Sequence, residues 1–107
     1  MLFYEREALE RVTLRLKALF PDRLIAVYAF GSRVRGDHDA WSDLDVLVIV
    51  KGKDTELQHK IIDLFTEEEL KTGVPFSPIV RDVSVFENER KLNTPFYQNI
   101  TREGVRI

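Results

Sequence analysis

Two aspartates separated by one residue, Asp43 and Asp45, stand at the opening of an apolar, β-branched run, Leu44–Val50 (LDVLVIV). In an extended strand alternate side chains share a face, so these carboxylates point the same way, about 7 Å apart along the chain. A pair so placed can grip shared hard cations, while Leu44 and Val46 point the other way into a core. Aspartate is poorly suited to a strand, and planting one inside such a run costs local propensity that a function would explain. The bland alternative puts Asp45 on a solvent face and Asp43 in a turn. Upstream, Gly31-Ser32-Arg33-Val34-Arg35-Gly36 directly follows another apolar run. A glycine there lets the backbone turn and approach a ligand, and exposed amides at the start of a following helix or nest suit phosphate. A Gly-Ser pair alone also describes many ordinary turns.

The elements that must carry these groups follow from periodicity and punctuation. Leu9, Val12, Leu16, Leu19 and Phe20 form the apolar stripe of an N-terminal helix ended by Pro21-Asp22. Leu24–Phe30 (LIAVYAF) reads as a strand buried on both faces, and Leu44–Val50 as a second strand closed by Lys51-Gly52-Lys53. Asp54 caps a helix whose stripe is Leu57, Ile61, Leu64 and Phe65, and Gly73 ends it. Residues 76–83 (FSPIVRDV) read as a third strand, with Pro78 implying an edge or a bulge. Ser84 with Glu87 makes a capping-box pattern for a third helix, and Thr94-Pro95 starts a fourth that Gly104 ends. The fold class is therefore α/β (α+β), a small mixed sheet flanked by helices in the order αββαβαα, within one domain over residues 1–107.

Composition narrows the functions. Sixteen Lys and Arg against eighteen Asp and Glu give a net charge of −2, which argues against nucleic-acid binding by counterion release and against a basic membrane surface. The absence of cysteine excludes a disulfide scaffold, a cysteine zinc site and a thiol nucleophile. Without a basic and apolar leader or a long apolar run, the chain reads as cytoplasmic. The small total hides a local dipole: residues 1–36 carry seven basic and four acidic groups, whereas Asp37, Asp39, Asp43 and Asp45 put four negative charges into nine residues. Asp37 and Asp39 read as loop solubilisers. His38 has no assignable role, and Trp41 either packs under the loop or stacks on a base.

The combination of strand, Gly-Ser, ten intervening residues and Asp-x-Asp opening a second strand is specific. It resembles the nucleotidyltransferase superfamily that includes DNA polymerase beta, in particular its minimal MNT-type members. The match is residues 31–48, GSRVRGDHDAWSDLDVLV, which keep the GSxxRG and SDxD features. Chain length, the N-terminal helix and the αββαβ order agree as well, so the resemblance covers nearly the whole chain. It implies transfer of a nucleoside monophosphate, AMP from ATP, to an acceptor, with pyrophosphate leaving and two Mg²⁺ ions as cofactor. Phosphoryl chemistry of this kind needs mainly positioning and charge neutralisation. Motif matching assigns the metals to Asp43 and Asp45 and the triphosphate to Gly31 and Ser32. Arg33 and Arg35 become candidates for phosphate contact, and Ser42 joins the nucleotide set by shaping the turn that delivers Asp43.

Active members of the superfamily usually present a third carboxylate from the next strand. Here the middle of that strand, Phe76-Ser77-Pro78-Ile79, holds no acid, and Asp82 is the remaining candidate for a third catalytic group. Two readings stay open. In the first, the protein is an enzyme that modifies a small helical HEPN-type partner, as in the toxin–antitoxin pairs formed by minimal nucleotidyltransferases. In the second, it is a catalytically weak or inactive antitoxin-like module that neutralises its partner by occlusion. Apolar Phe86, Leu92, Phe96, Tyr97, Ile100 and Val105 suit sheet cover with some surface left for a partner, and a homodimer also stays open. A nucleic-acid-end transferase is disfavoured by the charge balance.

Overall fold

Helical spacing of Ala8, Leu9, Val12 and Leu16 buries one side of α1 (Phe3–Leu19). The stripe starts earlier and stops earlier than its apolar residues suggest: Glu5 and Thr13 lie on it and are buried, while Leu19 is exposed. The computed structural model describes residues 1–37 and 42–107. After α1 come β1 (Leu24–Phe30), a single helical turn α2 (Ser32–Arg35), β2 (Leu44–Val50) and α3 (Thr55–Thr72). The chain closes with β3 (Phe76–Asp82), α4 (Val83–Leu92), α5 (Pro95–Glu103) and a two-residue β4 (Val105–Arg106). The αββαβαα order holds for the main elements, with α2 and β4 as short additions that carry too few residues to show a period.

The sheet runs β3-β2-β1-β4. β1 pairs antiparallel with β2 and β4, whereas β2 and β3 are parallel, as a crossover through a helix such as α3 requires. β2 is central and near-continuously apolar because both of its faces are covered. Leu44, Val46, Val48 and Val50 pack with α1 and α3, including Leu9, Leu16, Ile61 and Phe65. Leu47 and Ile49 face the opposite layer, with Ile100, Phe86 and Phe96 from the two C-terminal helices. Phe65 meets Phe76 edge to face at 5.3 Å; truncating such a buried ring costs about 3–5 kcal/mol.

Pro78 sits on the edge strand β3, where one side of the ladder has no partner strand. Burial of β1 is incomplete, since Ile25 is 45% exposed and β4 reaches only as far as Tyr28 and Ala29. Asp54 caps α3 by accepting from the Leu57 amide, and Thr94 caps α5 by accepting from the Tyr97 amide. The cap of α4 is Asp82, not Ser84. Its carboxylate accepts from both the Ser84 amide and the Ser84 hydroxyl, while Glu87 turns to Arg90 instead. Glu68 of α3 is buried and paired with Arg11 at 2.7 Å, tying α3 to α1. Among the described residues no helix is long and apolar enough to cross a membrane.

Candidate functional site

Asp45 is the second residue of β2 and lies in register with Phe30, the last residue of β1. By alternation it shares a face with Leu47 and Ile49, towards the α4–α5 layer. The next residue of β1's chain is Gly31, at φ +85°, a backbone region that side chains rarely adopt. A Cβ built on Gly31 would overlap Oδ2 of Asp45. The turn is thus glycine for two separate reasons, backbone hand and contact with the carboxylate. Directly after it, α2 presents its first amides, which precede any intrahelical acceptor.

The Asp45 carboxylate is half-buried and, among the described residues, receives no hydrogen bond or ion pair. Its pKa is raised, first by burial, then by the charge of Asp43, with Arg35 pulling weakly the other way. Asp43 is exposed at the strand's edge. Two close carboxylates with one lacking a partner are a donor set of hard oxygens, and a divalent cation would relieve both the repulsion and the burial. The residues present therefore fit a magnesium-type ion held by Asp43 and Asp45.

The remaining candidates divide sharply. Ser32 opens α2 beside Gly31 and stays at the site. Arg35 is exposed there, bonded to Asp37 at 3.2 Å and to Glu103, at the end of α5, at 3.1 Å. Arg33 is turned inward. It is buried, its guanidinium bonds Glu5 and its Nε donates to the Ser42 carbonyl at 2.5 Å. Ser42 is engaged by that bond immediately before Asp43. His38, Asp39 and Trp41 lie outside the described residues.

Asp82 does not join the site. Parallel pairing sets Ser77 beside Asp45 and Asp82 beside Val50, five residues and about 16 Å further along the sheet. Its carboxylate is used as a cap: it accepts first from the Lys53 amide at 2.7 Å and then from Ser84, which pulls its pKa down to about 2. The residue of β3 in register with Asp45 is Ser77, not an acid. Sequence reasoning missed Glu5, although an acid on the apolar stripe of α1 was a usable signal. It also missed Glu103, for which no local pattern exists.

A glycine turn packed on an Asp-x-Asp pair, in a small mixed sheet with helices on both faces, defines the nucleotidyltransferase class. The nucleotidyltransferase domain family matches residues 9–106, and the chain belongs to that family. As a member it is a transferase. It is 33% identical over 100 residues to an inferred protein adenylyltransferase of Methanocaldococcus jannaschii, with 94% of each chain covered. A solved structure of an inferred minimal nucleotidyltransferase superposes at a TM-score of 0.59 and 25% identity, covering 96% of this chain and 95% of that one. A toxin–antitoxin structure with AMP-PNP shares the fold at a TM-score of 0.57 and 17% identity, covering 91% of this chain and 70% of that one.

Proposed function

We propose that this domain transfers AMP from ATP to a hydroxyl of a partner protein, with Mg²⁺ held by Asp43 and Asp45. The observation that carries this reading is the packing of Gly31 on the Asp45 carboxylate, which has no partner among the described residues; it supports a phosphate turn beside a cation site. The acceptor oxygen bonds to the α-phosphorus of ATP, the bond from that phosphorus to the pyrophosphate oxygen breaks, and the acceptor's proton is lost to water. Bound metal would neutralise charge on the transferring and leaving oxygens. Gly31 and Ser32 cradle phosphate with backbone amides and the Ser32 hydroxyl, and Arg35 is the exposed cation beside them. The kinship with an inferred protein adenylyltransferase supports a protein acceptor. The fold shared with a toxin–antitoxin structure that contains AMP-PNP supports a partner in trans, for which a helical HEPN-type protein is the candidate.

The test is transfer of label from α-labelled ATP to a co-expressed partner. Label should appear with the wild type and vanish with Asp43→Asn and with Asp45→Asn; labelling that persists in both variants removes the proposal. A second reading, neutralisation of the partner by occlusion alone, is favoured by Ser77, not an acid, standing beside Asp45 on β3. In that case the double Asn variant neutralises the partner as well as the wild type does.

A further inference from the structure

Arg33 is 8% exposed and its partner Glu5 fully buried. A buried ion pair is costly to desolvate, and apolar residues of similar volume often do as well for stability. What apolar residues cannot do is hold a carbonyl. Arg33 comes from α2, Glu5 from the first turn of α1, and the bond from Arg33 Nε at 2.5 Å goes to the carbonyl of Ser42, the residue before Asp43. The other oxygen of Glu5 accepts from the Leu2 amide at 2.7 Å, so the carboxylate is anchored before it meets Arg33. One guanidinium thus ties the turn that follows Gly31 to the segment that delivers Asp43, with the start of α1 as its support.

We propose that Glu5 and Arg33 are positioning residues that fix Asp43 relative to Gly31 through the Ser42 carbonyl, and that Arg33 does not contact phosphate. The metal-related consequence rests on the reading of Asp43 and Asp45 as the cation site. Misplacing a reacting group by about 1 Å costs on the order of a hundredfold in rate, so the fork geometry of Arg33 acts through Asp43 without touching a nucleotide. Lysine cannot reproduce it, because a single ammonium lacks the rigid planar set of donors that serves the carboxylate and the carbonyl together.

The experiment compares the wild type with Glu5→Met/Arg33→Met, Arg33→Lys and Glu5→Gln. Three readouts are taken: melting temperature, amide hydrogen exchange over residues 42–44, and the Mg²⁺ concentration giving half-maximal binding of AMP-PNP. The expected double variant melts near the wild type, exchanges about tenfold faster at residues 42–44 and needs at least fivefold more Mg²⁺. Arg33→Lys shows the same two shifts and carries the test if the double variant does not fold. Wild-type exchange and a wild-type Mg²⁺ midpoint in a folded variant overturn the proposal. So does tighter AMP-PNP binding by Glu5→Gln, which would mean that a released Arg33 grips phosphate. If the wild type binds no AMP-PNP with Mg²⁺, the nucleotide reading fails, while faster exchange at residues 42–44 still upholds the clamp.

Discussion

Asp45 concentrates the conflict between stability and function in one side chain. Its pKa is raised by burial and by Asp43, so its contribution to stability is full below the ordinary carboxylate range and is lost as pH rises through the raised value. At neutral pH and without a cation it opposes folding. Asp45→Asn should therefore raise the melting temperature of the metal-free protein, and differential scanning calorimetry reads it. Added Mg²⁺ should stabilise the wild type and not this variant, by the mass-action rule for ligands that bind only the native state; equal shifts in both would place the ion elsewhere. Gly31→Ala should lose more than about 1 kcal/mol in urea unfolding. Both its positive φ and the Asp45 carboxylate oppose a side chain there.

At the scale of elements, the join between β3 and α4 shows one acid used as a cap. Asp82 accepts from the Lys53 amide beyond β2 and from Ser84 at the start of α4, holding two loops and a helix end together. Asp82→Ala should lower the melting temperature by several degrees, about the effect of losing an N-cap, and leave label transfer unchanged. Because its folded pKa is depressed to about 2, the stability it adds is present above the ordinary aspartate value near 4 and is lost as pH falls from there towards 2. Acid titrations of wild type and variant should converge in that window. A variant that keeps its stability but loses transfer would return Asp82 to the catalytic set.

Across the whole molecule, the parallel register of β2 and β3 decides which residue stands beside Asp45. Ser77 lies directly beside Asp45, so Ser77→Asp would place a third carboxylate against the first two. Like charges on neighbouring strands repel, and this variant should melt lower than the wild type without metal and gain a larger stabilisation from Mg²⁺. Calorimetry with and without Mg²⁺ checks both signs. Should labelling also rise, the native serine is what limits transfer; unchanged labelling with tighter Mg²⁺ binding favours a domain that acts by occupying its partner.

Much of this molecule was legible from local spacing. The Asp-x-Asp spacing brought Asp43 and Asp45 within reach of each other's charge, period 3.6 marked α1 and α3, and Asp54, Gly73 and Thr94 announced helix ends through their own hydrogen-bonding or backbone preferences. The Gly31 turn was legible too, because only the residue after a strand and before a helical turn needs that freedom. Tertiary structure alone decided which acids come together at the candidate site. Asp82 was sent to the far end of β2 by a register that the packing of α3 sets between strands distant in sequence. Arg33 was withdrawn from solvent by Glu5, 28 residues away, and Glu68 by Arg11, 57 residues away. Periodicity reports how a residue sits on its own element; which partner stands opposite depends on how the elements dock, and that is a property of the assembled core.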